Sequence, residues 1–102
     1  MKVSDYMAST KEYRDFVLEQ LSIMNSITYK PIMGEYLLYY KDKLFGGIYD
    51  DRLLVKKADS NSNFNMDEVI PYKNAKPMYL VDNIDDPEEL RDIVIATYKG
   101  LK

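Results

Sequence analysis

Between residues 30 and 57 the chain alternates apolar runs with short polar breaks. Three runs of strand length, 35–41, 44–49 and 52–57, are separated by Lys41-Asp42-Lys43 and by Asp50-Asp51. Breaks this short suit tight reversals, so the pattern predicts a three-stranded antiparallel meander. Strict alternation sends Tyr36, Leu38 and Tyr40 to one side and Leu37 and Tyr39 to the other. It sets Leu44 and Ile48 against Phe45 and Tyr49, and Leu53 and Val55 against Arg52, Leu54 and Lys56. Both faces carry apolar groups, whereas a sheet with one wet face alternates cleanly between apolar and polar. The second face is therefore expected to be covered or to serve as a contact surface. Gly46-Gly47 interrupts the middle strand, which marks a bulge or the close approach of another backbone.

Helices are expected at both ends. Ser9-Thr10-Lys11-Glu12 has the spacing of a capping box, and Tyr13, Phe16, Val17, Leu21 and Met24 follow at helical intervals. Asn25-Ser26 suits a stop. Residues 27–31 then lead into the meander, where Pro31 disfavours helix at Lys30. After the meander, 58–63 reads as a loop, and Asn63 or Asn65 as the cap of a short helix through about Val69. Residues 70–72 form a brief extended piece, 73–76 a turn and 77–81 a last strand. Asp86-Pro87-Glu88-Glu89 places an Asp cap, a proline at the first helical position and Glu in the first turn. Leu90, Ile93, Val94, Thr97, Tyr98 and Leu101 then recur at helical spacing. The expected fold is α+β and two-layer: an antiparallel five-stranded sheet, helices at both termini, one face covered by them, and no third layer from this chain. Residues 1–8 read as an extension and 9–102 as the domain.

Composition narrows the chemistry. The chain has 102 residues, enough for one domain, and 46% of them are hydrophobic. It contains no cysteine and no histidine, which removes disulfides, thiolate chemistry and the commonest general base and metal ligand. No cofactor or metal site is expected. The formal net charge is −3, against the basic excess that phosphate contacts require, so direct nucleic-acid binding is not expected. No run suits a membrane span and the first residues lack an apolar signal core, so a cytoplasmic location is expected.

The candidate reactive groups have structural explanations. Asp50-Asp51 suits a turn. Asp85-Asp86 with Glu88-Glu89 suits a helix start and its dipole. The glycines form no phosphate loop, and the serines have no histidine partner. Ten tyrosines are many for this length, and tyrosine-rich surfaces favour binding. Lys41, Lys43, Lys56, Lys57, Lys73 and Lys76 gather near the expected strand ends.

Residues 33–40 (Met-Gly-Glu-Tyr-Leu-Leu-Tyr-Tyr) and 43–56 (Lys-Leu-Phe-Gly-Gly-Ile-Tyr-Asp-Asp-Arg-Leu-Leu-Val-Lys) resemble the N-terminal domain of the TfoX/Sxy family. Ala75-Lys76-Pro77-Met78 and Asp86-Pro87-Glu88-Glu89-Leu90 fit the same family in order and spacing. The resemblance runs from about Ser9 to Leu101. It implies a helix, three strands, a helix, two strands and a helix, a secretion-chaperone-like arrangement. It also implies a competence regulator acting with a DNA-binding protein at promoters. Lys30 stands where the family often has Arg, and Met33-Gly34-Glu35 where many members have Met-Phe-Gly-Gly.

The expected function is a non-enzymatic protein-interaction module, a transcription or competence co-regulator. Its partner would be a transcription component or DNA-binding regulator, and the contact candidates are Met33, Glu35, Tyr36, Tyr39 and Tyr49. A homodimer is expected, because a large apolar sheet face is rarely left bare. The alternative is a small-ligand binder or carboxylate-based enzyme.

Overall fold

The computed structural model describes residues 9–101, so the expected extension, 1–8, lies outside the described residues. Helix α1 (Lys11–Gln20) runs on into a 3-10 turn, Leu21–Ile23. Strands β1 (Ile27–Ile32), β2 (Glu35–Tyr40), β3 (Lys43–Ile48) and β4 (Leu53–Val55) follow. Then come a 3-10 turn (Asp59–Phe64), β5 (Asp67–Val69), β6 (Met78–Leu80) and α2 (Pro87–Lys99). The fold is α+β, with an antiparallel sheet ordered β1-β2-β3-β4-β6-β5 and helices at both ends.

The sheet has six strands, not the expected five. Residues 27–32, expected as a lead-in containing Pro31, form the extra strand. β1 lies at the sheet edge and pairs only with β2, so a residue without an N–H is tolerated there. The helix expected before Val69 is also absent. Asn65, at φ 59°, ends the 3-10 turn in the left-handed region, and the next residues pair with β6 instead.

Three two-residue hairpin loops build the meander: Met33-Gly34, Lys41-Asp42 and Asp50-Asp51. Both residues of each loop have positive φ, as turns matching the right-handed twist of paired strands require. The last loop also anchors α1. The Asp51 amide donates to Ser9 Oγ (3.1 Å), and Asp51 Oδ1 accepts from the Thr10 amide (2.8 Å). The N-cap is Thr10 rather than Ser9: its Oγ1 accepts from the Tyr13 amide, while Ser9 is buried against the hairpins. Asp86 caps α2 as expected, accepting from the Glu89 amide (3.2 Å).

The core lies between the helices and one sheet face. Val17 and Leu21 meet Tyr36, Leu38, Phe45, Ile48, Leu53 and Val55, with Leu90, Ile93 and Val94 from α2. From α1, Leu18 joins this cluster rather than the expected Phe16. Arg14 lies over the Tyr29 and Tyr36 rings, at 5.4 and 5.2 Å from their centroids. One buried polar side chain ties the layers. Asn61 Nδ2 donates to the Lys56 carbonyl (2.9 Å) and to Thr97 Oγ1 (2.7 Å), and its Oδ1 accepts from the Ala58 amide. Every polar atom of that side chain is partnered, so its burial carries no desolvation penalty left unmet.

The expected irregularity at Gly46-Gly47 is present. Leu38 faces Gly46 but Tyr39 faces Leu44, which leaves Phe45 as the extra residue of a bulge. A Cβ at Gly46 would run into the Leu54 carbonyl and the Val55 Cα of β4. Backbone atoms in a paired strand cannot yield as a side chain would. Gly46→Ala is therefore expected to destabilise the protein by about 1–3 kcal/mol, the range for overpacking. The urea midpoint should fall with an unchanged slope; an unaltered midpoint would show that the β3–β4 approach is looser than described.

A candidate docking groove on the second sheet face

Cross-strand partners project to the same side of a sheet. Leu37 pairs with Gly47, Gly47 with Leu54, and Tyr39 with Leu44, while the neighbouring Leu38, Leu53 and Val55 enter the helix-side core. Leu37, Tyr39, Leu44 and Leu54 therefore belong to the face away from the helices. Tyr49 joins them, because its ring packs where a Cβ at Gly47 would stand.

The face is not bare. Segment 70–77, between β5 and β6, turns back toward it: Pro71 is buried, its carbonyl accepts from Arg52 Nη2 (3.4 Å), and the Tyr72 ring lies 6.1 Å from that of Tyr49. Leu54 is fully buried and Tyr49 is 7% exposed, although neither belongs to the helix-side cluster. This corrects the expectation that the chain supplies no third layer. The cover is partial.

Where it stops, a groove of ≈ 710 Å³ remains. Its floor is Leu37, Leu44, Gly46 and Tyr49, and its walls include Pro71, Tyr72, Pro77 and Met78. Lys56, Lys57 and Lys76 stand around it, and no carboxylate lines it. Lys57 is engaged by Glu68 (Nζ–Oε2 3.0 Å), whereas Lys56 and Lys76 make no ion pair among the described residues. Burial, reinforced by the Glu35 carboxylate and by Tyr72, pushes the Tyr49 hydroxyl up to about 12.

The groove thus offers apolar area, a neutral phenol and ammonium groups. Such a surface suits binding an anionic or amphipathic group. An acid–base pair would need two titrating groups converging on one atom. Among the described residues no cluster of three or more His, Cys, Asp or Glu could hold a metal ion.

The five contact candidates do not form one site. Tyr39 and Tyr49 share the second face, and Glu35 neighbours Tyr49 closely enough to act on its hydroxyl. Tyr36 lies on the opposite face, 9% exposed and edge-on to Tyr29. Met33 is at the β1–β2 hairpin tip, 90% exposed. Sequence reasoning missed Leu37, Leu44, Tyr72 and Met78 as groove residues. The apolar second parity of β2 signalled the floor, but nothing local signalled that 70–77 folds back.

A tyrosine held neutral by burial couples folding to alkaline pH. The folded state retains the Tyr49 proton above the ordinary value of 10.0, where the unfolded chain has released it. Its contribution to stability is complete below pH 10 and is lost as pH rises toward about 12. Near-ultraviolet titration of wild type against Tyr49→Phe should show one phenol ionising late. Ionisation of that phenol with the exposed tyrosines would mean that Tyr49 is solvated and the groove wall open.

No family model matches the chain. It is similar, at 29% identity over 98 residues, to a Spirochaeta aurantia protein described as an uncharacterized 12.7 kDa protein in the trpE 5′ region. The match covers 93% of this chain and 85% of that relative.

Proposed function

We propose that the chain is a non-enzymatic protein-interaction module that receives its partner on the second sheet face. The observation that carries this reading is the groove, with its apolar floor and its tyrosine, proline and methionine walls, on a face the helices do not cover. Tyrosine and methionine are enriched where proteins meet, because they supply large area at modest entropic cost. The TfoX/Sxy reading belongs to this proposal, with its secretion-chaperone-like fold and its cytoplasmic role as a transcription or competence co-regulator. It is supported by the quoted motifs and by terminal helices around an antiparallel sheet. Among the described residues no helix is long and apolar enough to cross a membrane.

Self-association is a second part of the proposal. Met33 takes a left-handed conformation (φ 49°), unusual for a large side chain, and Ile32 beside it is also exposed. Lys30 and Pro31 discourage strand-to-strand pairing along β1, so the hairpin tip is the contact expected between copies.

A photocrosslinking residue placed at Met78 in the native host is expected to trap a transcription component or DNA-binding regulator. The same residue at Asp92, on the exposed side of α2, is expected to trap none. Equal trapping at both positions, or none at Met78, would overturn the docking reading.

A further inference from the structure

We infer that the segment received in the groove is acidic: an extended peptide with an apolar anchor flanked by carboxylates. This rests on the docking reading and adds its chemistry. The chain as a whole is acidic, at −3, yet the groove has three lysines and no carboxylate among its lining residues. That local reversal of sign is the observation. Glu68 answers Lys57 and Glu35 acts on the Tyr49 hydroxyl, while Lys56 and Lys76 make no ion pair among the described residues, which leaves two ammonium groups beside an apolar floor for an external carboxylate. An apolar side chain resting on Leu37, Leu44 and the Tyr49 ring would lie in the same groove as both ammonium groups.

The alternatives fit less well. An anionic bilayer or a duplex would meet the acidic remainder of the molecule as well as the lysines. A second copy could offer the exposed acidic turn at Asp82, Asp85 and Asp86, but the apolar residue among them, Ile84, packs against the core and its carbonyl accepts from Gln20 Nε2, so those carboxylates come with no free anchor.

The test is to pan a phage-displayed random peptide library on the full chain and to measure the selected peptides, fluorescein-labelled, by anisotropy. Selected sequences are expected to carry Asp or Glu around an aromatic residue or leucine. Affinity should fall with salt, and it should drop about ten-fold in Lys56→Glu/Lys76→Glu, since each exposed charge pair is modest and reversal adds repulsion. Lys56→Gln/Lys76→Gln should lose less, and circular dichroism should show both variants folded. Selected peptides with no acidic bias, or insensitive to the lysines but weakened by Tyr72→Ala, would overturn the acidic inference and leave the docking reading standing. Selection that neither Tyr72→Ala nor the lysine changes affect, or no selection at all, would overturn both. The inference also fails if phosphatidylglycerol vesicles or duplex DNA, rather than peptide, bind through Lys56 and Lys76. A dimer broken by Lys76→Glu would make a second copy the occupant and overturn it too.

Discussion

The bulge at Phe45 is the constraint on which both faces depend. By strict alternation Leu44 and Ile48 would share a side, and Phe45 would face away from Ile48. The extra residue lets Phe45 and Ile48 both enter the core, while Leu44 and Tyr49 both face the groove. One six-residue strand and its exit thus supply both core residues and part of the groove floor. Gly46 permits this, since β4 comes so near that a side chain there would strike the Leu54 carbonyl. Leu54, on the groove-side parity of β4, is fully buried.

Two polar ties hold the layers around this strand pair. At one end Asp51 spans the β3–β4 turn and the start of α1, so the helix begins where the hairpin ends. Elsewhere Asn61 joins the end of β4 to α2 through the Lys56 carbonyl and Thr97. Both use short side chains whose donors and acceptors are matched. Removing Asn61 or Thr97 would leave a buried polar group unmet, which costs more than the paired group contributes, whereas water can replace a partner at the exposed Asp51–Thr10 contact. Lys56 therefore has two parts to play. Its carbonyl is fixed by Asn61 while its side chain stands at the groove, so the packing of α2 sets where that flexible side chain leaves the backbone.

Much of this was legible locally. The middle strands, their polar turns, the glycine irregularity, the Asp86 cap and the apolar stripe of α2 all follow from short-range chemistry. The failures were of other kinds. Residues 27–31 read as a lead-in to the meander, because an edge position that tolerates Pro31 in a strand is a tertiary fact. Ser9 and Thr10 each have a capping hydroxyl, and Asp51, distant in sequence, decides which one caps. Asn63 and Asn65 suggested a helix cap, but a left-handed Asn65 breaks the backbone and β6 captures the residues after it. The second-face parity of Leu37 and Tyr39 showed that something must cover or meet that face. It could not show that Pro71 and Tyr72 would supply part of the cover, because that contact joins residues far apart in the chain.

Partial cover has a consequence for recognition. A flat apolar face would favour any sufficiently apolar partner, including unfolded chains, and would invite aggregation. Segment 70–77 sets Pro71 and Tyr72 against this face and leaves a groove beside them, so a partner that fits the groove would gain more area than one that does not. Lysines standing beside an apolar floor then set a second condition, since a positively charged segment would meet unfavourable charge and an uncharged one would gain nothing from them. The rest of the acidic surface opposes this local field at long range, so attraction would be felt mainly within about a Debye length, roughly 8 Å at physiological salt. Under the docking reading, exposed lysines of this kind would act chiefly on the association rate and its salt dependence, and only within that short range.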